Sequence, residues 1–264
     1  MSFNPEAIAN HIENWLSDYA KNAGVDGFVV GVSGGIDSAV TATLCARTGI
    51  KTTLVNMPIH QAQTEFDRSN ELINQLSNAF ENVSGIEVDL TSTYDTLAEA
   101  PPAVEDLSGG LALANSRARL RMTALYYVAA QRRALVVGTG NKIEDFGVGF
   151  YTKYGDGGVD LSPIADLVKS EVYAVGEFLG VPNSIQVAAP TDGLWGDERN
   201  DEDQIGASYP ELELAMEQDQ LITNGQLSAE SLKGREAEVY AIYKRLNQAN
   251  QHKMLPIPVC IIPR

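Results

Sequence analysis

The chain of 264 residues is poor in three things, and each absence narrows what it does. Only two cysteines, Cys45 and Cys260, are present. That is too few for a disulfide scaffold, and both read as small buried hydrophobes in a reduced compartment. Basic residues are scarce: 19 Lys and Arg stand against 35 Asp and Glu, a formal net charge of −16. Such a surface repels polyphosphate backbones, which argues against a broad nucleic-acid interface and requires any anionic ligand to be held locally. Long apolar runs are missing too. No window approaches the roughly 20 apolar residues of a membrane span, and the stretch Met1–Glu6 lacks the basic-then-apolar pattern of a leader. No membrane partner and a cytoplasmic location are therefore expected. Repeats and low-complexity tracts are also lacking. A hydrophobic content of 44% in this length suits one large α/β domain with a sizeable core.

The most informative stretch is Val29-Val30-Gly31-Val32-Ser33-Gly34-Gly35-Ile36-Asp37-Ser38. An apolar run meets a serine and two glycines, and Ile36, Val40 and Leu44 then recur at helical spacing. Strand, tight turn and helix follow. The unpaired N–H groups of a helix start, approached through glycine, suit an anion and above all a phosphate. The lysine of a GxxxxGK[ST] loop is missing, and Asp37 stands there with serines instead. A carboxylate beside phosphates makes sense with magnesium between them.

Around this turn, residues 5–22 form a helix with Ile8, Ile12, Trp15, Leu16 and Tyr19 on one stripe, capped by Asn4-Pro5. Strands are expected at 52–57, 86–90 and 134–137, and helices at 64–80, 111–132, 166–180, 210–219 and 228–248. Alternation of strand and helix implies right-handed crossovers and a doubly wound parallel sheet, whose ligands bind beyond the carboxyl ends of the strands. Arg117 and Arg121 share a face of the 111–132 helix, and Arg119 points nearly opposite with Asn115. Gly138-Thr139-Gly140-Asn141 with Glu144 clusters just past a strand end. The glycine-rich segment 147–160 interleaves aromatics, Lys153 and Asp156, as a lid over a polar substrate would. Lys169 lies near the start of the 166–180 helix, where the dipole disfavours a cation and slightly favours an anionic partner over solvation. His252-Lys253 in the tail also suits a plain surface segment. So does the acidic run from Asp197 to Asp203, after Trp195.

Gly31-Val32-Ser33-Gly34-Gly35 also satisfies G-x-S-x-G, the nucleophile elbow of a serine hydrolase, with an aspartate and His252 to follow in triad order. Against it, no HGGG-type element is present and the elbow would fall on the first strand. Gly138-Thr139-Gly140 is a weaker match to a dinucleotide fingerprint, since Ile143 stands at the third glycine. A nucleotide-binding regulator without catalysis is a third reading.

Taken whole, Ser33-Gly34-Gly35-Ile36-Asp37-Ser38 resembles the pyrophosphate loop of the ATP pyrophosphatases, with their Rossmann-like fold. The segments 115–122, 138–144, 152–158, Asp166-Leu167 with Lys169, Pro190-Thr191 and His252-Lys253 together resemble the NAD synthetase family in order along nearly the whole chain. That resemblance implies a single synthetase unit over 1–264, with the pyrophosphatase core at about 25–185 and a helical, substrate-contacting segment at about 190–264. It implies a C–N ligase of NAD biosynthesis: the carboxylate of deamido-NAD attacks the α-phosphate of ATP, and ammonia displaces AMP from the adenylate. Gly31, Ser33, Gly34, Gly35, Asp37, Ser38, Thr139, Lys169 and Thr191 would then bind ATP. Asp37 and Glu144 would hold magnesium. Arg119, Lys153, Asp160, His252 and Lys253 would touch deamido-NAD. Lys169 would stabilise pyrophosphate, and Asp156 would orient ammonia or take its proton. Free ammonia as nitrogen donor and a homodimer complete the expectation. Met57–Gln63 follows the family's adenosine-side segment only loosely.

Overall fold

The computed structural model describes residues 3–100, 107–191 and 200–263. Pro101, Pro102, Trp195 and positions 197–199 of the acidic run lie outside them. Helix α1 (Pro5–Ala23) leads into β1 (Gly27–Gly31), α2 (Ile36–Arg47), β2 (Lys51–Asn56), α3 (Gln63–Ala79) and β3 (Val83–Glu87). Next come α4 (Thr91–Glu99), α5 (Leu107–Arg132) and β4 (Ala134–Val137), then a π-helical turn, Ile143–Val148. The chain finishes with α6 (Lys169–Phe178), α7 (Asn183–Gln186), α8 (Asp201–Ile205), α9 (Tyr209–Thr223) and α10 (Gly234–Met254).

The strands lie in the order β3-β2-β1-β4, and all pair in parallel, so the doubly wound parallel sheet expected above is present. Val30 of β1 sits beside Leu54 of β2 and Val137 of β4. Side chains of a strand alternate between faces. Phe28 and Val30 accordingly join Leu44 of α2, Leu16 of α1, Leu72 of α3 and Val175 of α6 in one cluster. Val29 points the other way, to Val128 and Ala129 of α5. A separate cluster joins Leu212 of α9 and Tyr243 of α10 to Ile143 and Val148 of the π-helical turn. The order reverses between β2-β1 and β4, and at such a switch point the loops leaving the two strands part to form a crevice.

Three expectations need correction. The third strand runs over Val83–Glu87, not 86–90. Gly85 weakens any strand reading there, yet glycine is what fits, because a Cβ would meet Ile73 Cγ2 at 2.2 Å. Past Glu87 the chain still donates from Val88 to the Asn56 carbonyl and from Leu90 to that of Pro58, but Pro58 has no N–H to return and the ladder stops. The stripe on α1 divides: Ala9, Ile12, Leu16 and Ala20 are buried, while Trp15 and Tyr19 are 40% and 43% exposed, their rings 5.6 Å apart. Cys45 is buried as expected but Cys260 is exposed, beyond the end of α10. Helices α4, α7 and α8 had no counterpart in the sequence reading. Among the described residues no helix is long and apolar enough to cross a membrane.

Asn4 caps α1 by accepting from Ala7 N at 3.1 Å, and Gly24 ends it at a φ of 65°. With its ends fixed, Leu16 is fully buried against α2 and α6. Leu16→Ala should cost about 2–5 kcal/mol of unfolding free energy in urea titrations, while Trp15→Ala should cost well under half of that.

Candidate active site

The turn after β1 is held by its own hydroxyls. Ser38 Oγ accepts from Ser33 N (3.2 Å) and donates to the Gly35 carbonyl (3.0 Å), and Gly35 N donates to Ser33 Oγ (3.2 Å). Gly34 adopts a φ of +83°, and a Cβ there would meet the Glu65 carbonyl at 2.7 Å. Both facts require glycine. Arg68 of α3 donates to the Gly34 carbonyl at 3.2 Å. Helix α2 starts from Gly35 with no side-chain cap, so its first N–H groups face the crevice as an anion site.

The loop after β4 supplies the second wall. Asn141 Nδ2 donates to Asp37 Oδ1 (3.2 Å), and Asn141 Oδ1 accepts from the N–H groups of Ile143 and Glu144 (3.1 Å each). One fully buried amide thus ties the two loops together and starts the π-helical turn, a geometry common at functional sites. The third wall begins where Leu161 pairs with Val137 and continues to Lys169, the first residue of α6.

Lys169 joins all three. Its side chain is 4% exposed, and Nζ donates to Asp37 Oδ2 (2.6 Å) and Glu144 Oε1 (3.0 Å). The dipole of α6 disfavours a cation at this place, and the two carboxylates outweigh it. Burial alone would lower the Lys169 pKa; Asp37 and Glu144 reverse that and keep the ammonium charged. Burial raises the Asp37 pKa more than Lys169 lowers it. Burial also acts upward on Glu144, but Lys169 and then the Tyr209 hydroxyl (2.5 Å) bring it below the usual range. Two carboxylates against one ammonium leave a unit of negative charge for a further cation. Among the described residues no group of three His, Cys, Asp or Glu side chains stands ready for a metal.

These loops surround a cavity of about 250 Å³. Gly31, Ser33, Gly34, Gly35, Asp37, Ser38, Thr139, Glu144, Asp156, Lys169 and Thr191 all line it, eleven of the sixteen residues singled out from sequence. The other five stand outside its wall. Arg119 donates to the Lys153 carbonyl from Nε and Nη2 (3.4 Å each), and Lys153 Nζ bonds the His252 carbonyl. Lys253 Nζ donates to the carbonyls of Gly149 and Tyr151 (2.7 Å each). Asp160 accepts from Tyr126 Oη (3.0 Å) and Val136 N (2.9 Å). His252 and Lys253 belong to the last turn of α10 rather than to a loose surface tail. Arg121 lines the cavity on the face opposite Arg119, its Nε donating to the Met57 carbonyl at 3.1 Å.

The segment expected as a lid is a series of turns lying against the cavity. Asp156 Oδ1 accepts from Thr152 N (3.0 Å). Its carboxylate opens to the cavity while protein surrounds it, and desolvation pushes its pKa up to about 6. Asp145 rises further, to about 8, through burial and then the charges of Glu144, Asp156 and Asp37. Sequence reasoning missed Asp145 and Tyr209. A Cβ on Gly140 would meet Asp145 Oδ1 at 2.2 Å, so the glycine after Thr139 is a signal for that packing, legible only in three dimensions. Ser33 Oγ lies 3.1 Å from Ser38 Oγ, and among the described residues no histidine is hydrogen-bonded to it, which leaves the hydrolase reading without its base.

The NAD synthase family model matches residues 8–256. The chain belongs to that family. It is 37% identical over 264 residues to an NH(3)-dependent NAD(+) synthetase of Syntrophomonas wolfei, covering 98% of each chain. The NH3-dependent NAD synthetase of Campylobacter jejuni, solved with a nitrate ion, superposes with a TM-score of 0.77 at 27% identity, over 98% of this chain and all of that one. A structure described as an NMN synthetase from Francisella tularensis superposes at 0.82 and 31% identity, with 99% of each chain covered. The protein is thus a C–N ligase that amidates deamido-NAD with ammonia at the expense of ATP, and the hydrolase alternative is set aside.

With no nucleotide or cation added, Asp145 should report on stability. The unfolded chain loses this proton near pH 4 and the folded one near 8, so the folded state binds more protons in between and stability falls as pH rises across that window. Urea titrations at pH 5 and pH 8 should show Asp145→Asn gaining on the wild type at the higher pH. An unchanged difference would contradict the assignment.

Proposed function

We propose that Asp37 and Glu144 share the magnesium ion that accompanies ATP, and that the turn Ser33–Ser38 with the start of α2 receives its pyrophosphate. The observation that carries this reading is the Lys169 ammonium between the two carboxylates, directly beside an uncapped helix start. The donor set fits. Magnesium takes hard oxygens, keeps several waters, and is commonly bound by one or two carboxylates together with substrate phosphates. When bound, it neutralises phosphate charge as a Lewis acid.

In the first half-reaction a carboxylate oxygen of deamido-NAD attacks the α-phosphorus, and the bond to pyrophosphate breaks. Charge builds on the departing oxygens, which the Lys169 ammonium and the N–H groups of α2 would stabilise. In the second half-reaction ammonia attacks the acyl carbon, the C–O bond to AMP breaks, and a proton must leave nitrogen. Asp156 takes that proton, its pKa near 6 matching a base that is ionised at neutral pH yet still basic. Thr139 and Thr191 line the nucleotide side. Arg119, Lys153, Asp160, His252 and Lys253 form the outer rim on which the dinucleotide lies. The exposed Trp15–Tyr19 pair suits a second copy of the chain, in line with a cytoplasmic homodimer.

A second reading concerns the size of the nucleotide. One close structural neighbour is described as an NMN synthetase, so nicotinic acid mononucleotide is a rival acceptor at the same carboxylate. The ratio of kcat/KM for the dinucleotide to that for the mononucleotide decides between them. A ratio well above one is expected, and a ratio below one would reassign the substrate.

Incubation with ATP, magnesium, ammonium and deamido-NAD should give NAD, AMP and pyrophosphate in equal amounts. Lys169→Met should lower kcat by about a hundred- to a thousandfold, the scale for removing one donor from a developing charge. Wild-type turnover in that variant would sink the role given to Lys169.

A further inference from the structure

Tyr209, the first residue of α9, is 3% exposed, and its hydroxyl lies 2.5 Å from Glu144 Oε1 and 3.3 Å from Asp201 Oδ2. A phenol has one proton to give, and the shorter contact takes it. Lys169 donates to the same oxygen, Oε1. Two donors therefore fix Oε1 of Glu144 and with it the side-chain rotamer, Asn141 adds a further side-chain contact to the carboxylate, and Oε2 receives neither the Lys169 nor the Tyr209 bond. The same residue also steadies Lys169, whose ammonium lies 4.6 Å from the centre of the Tyr209 ring.

The phenol is itself held from outside the crevice. Tyr209 N donates to Glu202 Oε1 (2.8 Å). Ser208 and Glu211 form a capping box at the start of α9, and Arg235 of α10 clamps Glu211 through two bonds of 2.7 and 3.0 Å. Asp201 N donates to the Pro190 carbonyl, next to Thr191 in the cavity wall. A continuous set of contacts thus runs from α10 through α9 to the carboxylate that faces the nucleotide.

We propose that Tyr209 is a positioning residue of the synthetase reaction: its hydroxyl orients Glu144 so that Oε2 is presented to the cation that travels with ATP. This rests on the reading of Asp37 and Glu144 as the cation's ligands. Nothing in the motif pattern pointed to this residue, because it acts through Glu144 rather than on substrate.

Tyr209→Phe keeps the ring, its packing and its contact with Lys169, and removes only the hydroxyl. Loss of such an orienting partner typically costs ten- to a hundredfold in metal affinity or activity. The magnesium concentration giving half-maximal rate should rise by about that factor, with the KM for deamido-NAD unchanged within about twofold. Calorimetry with magnesium and a non-hydrolysable ATP analogue should show the same weakening without any turnover, and the melting temperature of the unliganded variant monitors the fold. Glu144→Gln runs beside it. Weakened magnesium binding in Glu144→Gln with normal binding in Tyr209→Phe would overturn the proposal alone, whatever happens to the melting temperature. Normal binding in both would overturn the cation-ligand reading as well. If Tyr209→Phe folds poorly, Glu202→Ala, which removes the acceptor for Tyr209 N from outside the cavity, should shift magnesium dependence in the same direction, and no shift there would count against the proposal.

Discussion

A buried ammonium shared by two carboxylates organises this protein. Asp37 follows β1, Glu144 follows β4, and Lys169 opens α6, so the three come from separate segments that the parallel sheet delivers to one end. None is tolerable there alone, since each would be a charge taken out of water. Removing one leaves its neighbours uncompensated, which makes the trio a condition on the fold as much as on the chemistry. The switch point of the sheet fixes where it forms.

The arrangement explains how an acidic protein handles two polyanionic substrates. A formal charge of −16 gives no general attraction for phosphates. Attraction is concentrated at the start of α2, Lys169, Arg68 beside the Gly34 carbonyl, and Arg121, all lining one crevice. Desolvation then sorts the carboxylates around it. Glu144, held by Lys169 and Tyr209, stays ionised, while Asp145 and Asp156 are pushed toward the neutral range by desolvation and by the charge of Glu144, Asp145 by that of Asp156 as well. A row of acids in one cavity thus divides into an anion and two groups able to carry protons near neutrality.

Much of this was legible in the chain because it is local. The turn at Ser33–Ser38 is written in glycine and hydroxyl residues, and β4 in an apolar run ended by Gly138. A lysine at a helix start asked for anions, and two were found. The illegible parts are those set by distant partners. Gly85 looks wrong for a strand until Ile73 is seen filling the space a side chain would need. Trp15 shares a helical stripe with Ile12, but only Ile12 reaches the cluster formed with α2 and α6. Tyr209 lies 65 residues from Glu144, and its own neighbourhood announces only a helix cap.

The hydrogen bonds from α10 to the turns beside the cavity are made to backbone, while Val148 packs in the apolar cluster with Tyr243. Asn247 donates to the Gly147 carbonyl, Asn250 to that of Val148, and Lys253 to those of Gly149 and Tyr151. A fastening that grips main-chain oxygens is indifferent to the side chains that the gripped segment turns toward solvent. An exposed position such as Phe146 is therefore open to exchange without loosening that grip, whereas Val148 is fixed by the core and Gly149, at a φ of +65°, by the Asn250 Cβ that a side chain there would meet at 2.4 Å.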